Sequence, residues 1–455
     1  MFVAEIFYRM VSRRMGLSVI ILILLMTFSA SLYSACNSEF EKWCLLVYCD
    51  TDSERSRDVD SIGLYVLNEL EEGLEKNDID ILFLWDRASG NDAVYQVVAD
   101  HTPLIRSKII KKFKEINSGS SDTLKDFIIQ GKELYPNRRY MLVIFNHGFS
   151  WRGCCSDSHA DEIEDIHIQK WNEYMSLHEL HRGLDESGGV DILGFCSCMM
   201  ASIEVMYELR NDTKVIIASE GLSGAMYWPW KKLVEVLSRS SSDNLTNLSE
   251  KIIDAFSVYN RNTRFVHRIL SLLLGIYSYP REFYILAYVY PPHFTISAVG
   301  TEGIASLAKD IDKLSICFTN NIEEYRKTIT RARSRVEDFP VPLSVNELFG
   351  DQIDIVHFCE IMSKMVNNQT IQYDLKRIKD KVSYLVIAEY HERGHPNANG
   401  LSIYFPPRQL KNVRFDWQFR KIGLKFSLDV YSRSVEFCED TNWDDFLKTY
   451  LWGSG

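Results

Sequence analysis

The chain lacks an excess of basic residues. Its 455 residues carry 51 Lys and Arg against 62 Asp and Glu, a formal net charge of −11. That balance argues against a general nucleic-acid binder, which presents a basic face. No internal repeat and no low-complexity tract is found, and the 46% apolar and 25% charged content is that of a globular protein. Uninterrupted apolar runs of membrane-spanning length are also missing. Leu17–Phe28 is too short for a comfortable span, and LLLGIYSYPREFYILAYVY is broken by Pro280, Arg281 and Glu282. The latter reads as buried core or an insertion. His159, His167, His178 and His181 fall into no tight ligand spacing, so a zinc site is not expected and they read as surface histidines.

The amino terminus has the order of a secretory signal peptide over residues 1–35. Arg9, Arg13 and Arg14 precede the apolar run, and small residues follow it before Cys36. LYSAC resembles a bacterial lipobox, with Tyr33 where Leu is common, so Cys36 is the expected lipidation site. A cleaved secreted protein and an uncleaved anchor are the alternatives. Removal of residues 1–35 leaves 48 basic against 61 acidic residues, a net charge near −13. In an exported protein, ten cysteines suggest disulfides, whose connectivity sequence does not give.

Along the chain, apolar β-rich runs alternate with helical patterns. WCLLVYC (43–49), ILFLWD (81–86), MLVIFNHG (141–148), VDILGF (190–195) and KVIIAS (214–219) read as strands. Helices are expected at SIGLYVLNELEEGLEK, HTPLIRSKIIKKFKEI, TLKDFIIQGKELY and MASIEVMYELR. FTISAVG (294–300), VSYLVIAEY (382–390) and GLSIYFP (400–406) read as further strands. The alternation indicates βαβ units and a mainly parallel sheet. SRSSSDNLTN (238–247) reads as a surface turn after the catalytic part.

Two strand ends carry the chemistry. MLVIF ends in Asn146-His147-Gly148, and VDILGF ends in Cys196-Ser197-Cys198. The carboxyl edge of a parallel sheet is where ligands bind, and a helix N-terminus there would lower a thiol's pKa. An imidazole can take the thiol proton or protonate a leaving amine, the thiolate can attack a carbonyl, and Gly148 offers an unobstructed N–H to an oxyanion. His147 precedes Cys198 by about fifty residues, the caspase order.

These segments together resemble the clostripain family of cysteine peptidases. WCLLVYCDTDSE resembles its opening strand and Asp-rich loop, YPNRRYMLVIFNHGFSWRG its histidine strand, and SLHELHRGL the helix before the nucleophile strand. VDILGFCSCMMASIEVMYEL resembles its nucleophile segment, ASEGLSGAMYWPW its pocket-closing segment, and GLSIYFP and NWDDFLKTYL its C-terminal region. The resemblance implies a caspase-like αβα sandwich with a mainly parallel central sheet. A catalytic domain would span 36–250, with an α/β extension over 251–455 continuing or packing on the sheet. It further implies an exported endopeptidase acting on peptides, with Cys198 as nucleophile, His147 as acid and base, and the N–H groups of Gly148 and Cys198 as oxyanion hole. No cofactor is implied. Cys196, Glu220, Trp228 and Pro229 would form the primary specificity pocket.

Two departures stand out. Asn146 replaces the family's usual Asp. Cys196 stands where family members with Arg or Lys specificity have an Asp that pairs with the basic side chain. A cysteine cannot supply that contact, so strict Arg/Lys specificity is not expected. A catalytically silent surface lipoprotein that uses the fold to bind, and a transpeptidase, are the rival readings. Asp50, Asp52 and Glu54 could hold a cation such as calcium or simply cap the following helix. The interval 154–175, where family members are often cut, contains Lys170 as its sole basic residue.

Overall fold

Why the strand WCLLVYCD lacks polar alternation is explained by its place in the sheet. In the computed structural model all eight residues of β1 (Trp43–Asp50) are buried, because helices cover both faces. Cys44, Leu46 and Tyr48 enter one apolar core, and Trp43, Leu45, Val47 and Cys49 the other. The structure describes residues 42–52, 60–75, 78–156, 174–278, 293–339, 351–408 and 428–453, with side chains within 263–278 excepted. The expected signal segment 1–35, Cys36, Glu54, His159, His167 and Lys170 lie outside the described residues, as does the break at Pro280, Arg281 and Glu282.

The chain continues through α1 (Asp60–Gly73), β2 (Asp80–Asp86), β3 (Ala93–Gln96), β4 (Lys108–Lys112), α2 (Ser121–Leu134) and β5 (Arg139–Phe145). Next come β6 (Cys154–Ser156), β7 (Tyr174–Met175), α3 (Leu177–Glu186), β8 (Val190–Cys196), α4 (Ile203–Glu208), β9 (Thr213–Ala218), α5 (Trp230–Ser238) and α6 (Leu245–Ser278). The remainder comprises β10 (Thr295–Gly300), α7 (Ile304–Asn320), α8 (Ile322–Arg333), β11 (Gln352–Asp354), α9 (Ile355–Ser363), α10 (Gln369–Leu385), β12 (Val386–His391), β13 (Ser402–Tyr404), α11 (Glu436–Glu439) and α12 (Trp443–Trp452).

Nine strands form the central sheet in the order β12-β10-β9-β8-β5-β1-β2-β3-β4. β2, β1, β5, β8 and β9 run parallel, and the margins are antiparallel. The α/β class and the mainly parallel sheet expected from sequence are present. β10 and β12, from the second half of the chain, complete one margin of this sheet.

Helix starts follow local capping chemistry. Ser120 accepts from the Asp122 N–H ahead of α2, and Ser176 with Glu179 forms a capping box that opens α3. The helix expected through HTPLIRSKIIKKFKEI is corrected, because KIIKK is the edge strand β4. Its β-branched pair Ile109-Ile110 matches β3 while every residue faces solvent, and the three lysines blunt the open edge. The strand expected at 382–390 also needs correction, since α10 runs to Leu385 before β12 begins. GLSIYFP contributes β13, which pairs with β11 outside the central sheet.

All nine described cysteines are free thiols, so the disulfides expected of an exported chain are not formed among them. Cys44 and Cys49 show why: an odd spacing on a strand sends them into opposite cores.

Candidate active site

β5 and β8 are parallel neighbours, with Phe145 and Cys196 on the same rung. The side chains of His147 and Cys198 therefore each come two residues beyond that rung, at one edge of the sheet. The two turns touch. A Cβ on Gly148 would collide with the Cys198 carbonyl oxygen and lie 2.8 Å from Ser197 Cβ, so glycine is required by the close approach.

Asn146 fixes the histidine turn from the other side. Its Nδ2 donates to the Asp50 carbonyl (3.3 Å) and carboxylate at the end of β1, and its Oδ1 accepts the His147 N–H. The Cys155 N–H donates to the His147 carbonyl (3.3 Å), and Gly148 bridges Cys154. The imidazole itself is exposed, beside Phe149 with ring centroids 6.2 Å apart. The role of Asn146 was not evident from sequence, because only the fold brings Asp50 beside it.

Cys198 is half-buried, and Met199 after it takes φ 60°, a turn that few non-glycine residues adopt. The Sγ–H donates to the Ser223 carbonyl at 3.2 Å, and Sγ accepts the Ser223 N–H at 3.3 Å. Burial pushes this thiol up, and the Ser223 N–H offsets part of the rise. The lowering expected from a helix N-terminus is therefore corrected. α4 begins only at Ile203, its N-terminal Val205 N–H is taken by Ser202, and desolvation of the thiolate outweighs the rest. Cys198 gains its surroundings from the segment 219–223 instead. Ser219 and Gly221 accept the N–H groups of Ala201 (2.9 Å) and Met199 (2.8 Å).

The residues expected to line a specificity pocket lie beneath that segment, in the core. Cys196 and Trp228 are 0% exposed, Glu220 1%, and Pro229 is buried. Trp228 stacks on Trp230 at 5.3 Å and meets Phe256 edge-on, and a Cβ on Gly194 would reach its ring at 2.8 Å. Burial pushes the Cys196 thiol well up, with Cys49 and Cys198 adding to it. Glu220 accepts the Gly400 N–H at 2.9 Å. All four residues read from sequence as the primary specificity pocket are thus buried here, with apolar packing around Trp228. Leu222, Ser223, Gly224, Met226 and Tyr227 are the partly exposed residues of this stretch, and a Cβ on Gly224 would meet nothing within 4 Å. None carries a charge, which is why charge-based reading of the sequence passed over them.

Asp52 gathers with Asp86 and Glu115, their oxygens within 4.8 Å of one another, a set that could hold a cation. Asp50, which the sequence offers beside Asp52 either for a cation or for capping, accepts from Asn146 Nδ2. His181 is paired with Asp212 at 2.7 Å, and His178 is exposed. A cleft of about 1350 Å³ opens at the amino-terminal ends of the parallel strands, lined by Tyr140, Val190, Thr213 and Lys214. It is at the opposite edge of the sheet from His147 and Cys198. Among the described residues, no helix is long and apolar enough to cross a membrane.

Residues 47–450 match the model of the clostripain family. The chain is 21% identical to clostripain of Hathewaya histolytica over 481 residues, covering 90% of this chain and 86% of that protein. A secreted C11 cysteine protease of Bacteroides thetaiotaomicron, solved with an irreversible peptide inhibitor, is similar with a TM-score of 0.58 at 17% identity. The match covers 89% of this chain and 99% of that one. An inactive zymogen C11 protease of Parabacteroides distasonis matches with TM-score 0.58 and 17% identity, over 88% and 97% of the two chains.

Proposed function

Because the chain belongs to the clostripain family, whose members are cysteine-type endopeptidases, we propose that it cleaves peptide bonds with Cys198 as nucleophile and His147 as acid and base. Sγ attacks the scissile carbonyl carbon as His147 takes the thiol proton. The carbonyl π electrons move to oxygen, and the backbone N–H groups of Gly148 and Cys198 stabilise that oxyanion. Collapse expels the amine, protonated by His147, and leaves a thioester. Water then attacks the thioester, giving its proton to His147 and regenerating the thiol. No cofactor enters these steps.

The observation that carries this reading is the contact of Gly148 with the Cys198 carbonyl, which joins the two turns on adjacent strands. The uncharged segment Leu222–Tyr227 supports a preference for an uncharged residue before the scissile bond. The histidine turn, the nucleophile turn and that segment share one sheet edge.

The deciding experiment compares Cys198→Ala, His147→Ala and Cys196→Ala on a fluorogenic peptide library. The first two abolish cleavage and the third retains it. An active Cys198→Ala variant would overturn the assignment. The signal-like residues 1–35 support export, with lipid carried at Cys36. Mass spectrometry of the native N-terminus reads this directly, and an unmodified Cys36 or an intact Met1 would refute lipidation.

A further inference from the structure

The segment that holds the nucleophile turn is itself held by one side chain. Glu220 follows β9 and reaches the loop before β13, where its Oε2 accepts the Gly400 N–H at 2.9 Å. Asp354, at the end of β11, is brought beside it by the same loop, whose consecutive Asn399 and Gly400 N–H groups donate to Asp354 Oδ2 (2.6 Å) and Glu220 Oε2 (2.9 Å). Both side chains are buried, Glu220 1% and Asp354 0% exposed. Two ionised carboxylates buried on one loop repel each other in a low-dielectric site, which favours keeping a proton on one of the pair.

The donors decide which. Asp354 accepts from the His357 N–H (2.6 Å), the Asn399 N–H (2.6 Å) and Asn399 Nδ2 (3.0 Å). Glu220 accepts one backbone N–H, and among the described residues no donor reaches its Oε1. Three donors stabilise an ionised Asp354 and leave the proton on Glu220.

We propose that Glu220 is a positioning residue, whose protonated carboxyl donates to Asp354 and so ties the Cys198-holding segment to the C-terminal part of the fold. The proposal rests on the reading of Cys198 as nucleophile. The neighbours of Glu220, Ser219 and Gly221, accept the Ala201 and Met199 N–H groups, and Ser223 contacts Sγ in both directions. Ser402 returns from the C-terminal side, donating its N–H to the Ala201 carbonyl at 2.9 Å. Loss of the shared proton would set two buried negative charges against each other directly behind the nucleophile turn.

Other titratable groups face the pair. Glu389 on β12 reinforces proton retention by Glu220, while His391 bonds Glu389 at 2.9 Å. Cys359 on α9 faces Asp354, and burial pushes that thiol up. Glu337, whose carbonyl accepts the Asp354 N–H, is paired with His395 at 3.0 Å, and His395 packs on His293. Burial pushes Asp354 up to about 6 and Glu220 well above the carboxylate range.

The test compares wild type, Glu220→Gln and Glu220→Ala from pH 5 to 9. It measures kcat and KM on a peptide uncharged before the scissile bond, together with equilibrium unfolding. In wild type the native state keeps a proton that the unfolded state releases, so the unfolding equilibrium constant rises about tenfold per pH unit until the pair ionises. The wild-type kcat falls over the pH range where the pair ionises, with KM unmoved. Glu220→Gln donates permanently, so it keeps kcat and removes the pair's contribution from both profiles. Glu220→Ala loses kcat at every pH.

A glutamine variant with the wild-type stability profile would overturn the proposal. So would a selective rise in its KM for Arg or Lys peptides, which would make Glu220 a substrate-reading acid. Unfolding needs no catalysis. An inactive wild type with the expected stability profile would therefore refute the nucleophile assignment and leave the proton assignment standing.

Discussion

Gly148 lies against the carbonyl of Cys198, with no room for a side chain between them. The two residues follow adjacent parallel strands, so their separation is set by the sheet itself and small backbone shifts there are resisted by both cores. Gly148→Ala must push the turns apart. The expected outcome is a fall in kcat of a hundredfold or more with about 1–3 kcal/mol of lost stability, the cost typical of overpacking a tight contact. Steady-state kinetics and urea unfolding measure the two. An alanine variant of wild-type activity would show that the turns do not act as a unit.

The Cys198 thiol is pushed up by burial and hydrogen-bonded to Ser223, so it is neutral near pH 7 in the free enzyme. Alkylation of Cys198 by iodoacetamide should accordingly rise about tenfold per pH unit between pH 7 and 9, because the thiolate is the reactive form. Peptide mapping separates Cys198 from the partly exposed Cys317. A labelling rate that is flat above pH 6 would mean a preformed thiolate–imidazolium pair, contrary to the burial seen here.

Much of the fold was legible because buried parallel strands leave near-continuous apolar runs such as WCLLVYC and VDILGF. KIIKK was not, since an edge strand with every side chain in solvent has no apolar face, and only its pairing with β3 decides its state. The strand ends that bring His147 and Cys198 to one edge could be read from sequence. The surroundings could not. Glu220 presents an acid in the sequence, but its burial and its partner Asp354 arise from contacts between distant segments. Trp228 reads as a pocket residue from sequence, whereas its packing against Gly194, Trp230 and Phe256 comes from segments that only the fold brings together.

His181 offers a pH test away from the chemistry. Burial pulls its pKa down, but the hydrogen bond and charge of Asp212, with Asp185 and Glu208, outweigh this and raise it. A histidine raised in the folded state adds stability at pH below its unfolded value near 6.5, and that contribution is lost as pH climbs through the folded value. The imidazole is 32% exposed, so the effect should stay below about 1 kcal/mol. His181→Asn should therefore cost more at pH 5.5 than at pH 8 in thermal unfolding. A larger cost at pH 8 would reverse the sign and refute the pairing as the cause.

Cys196 provides the sharpest separation between pocket and core. If it lined a substrate pocket, Cys196→Asp would create the acid that holds a basic side chain and would shift cleavage toward Arg and Lys. The thiol is instead 0% exposed in the apolar core that holds Cys49, Phe145 and Trp228. A carboxylate there has no cationic partner among the described residues and is costly to ionise, so the substitution should remove about 3–5 kcal/mol of stability. It should not produce a basic preference, whereas Cys196→Ala should cost less because it buries no charge. Urea unfolding and relative kcat/KM on matched peptides, differing only at the residue before the scissile bond, decide the matter. A Cys196→Asp enzyme of wild-type stability that prefers Arg or Lys by a hundredfold would show that substrate reaches the floor of β8, and that the packing around Trp228 opens to admit it.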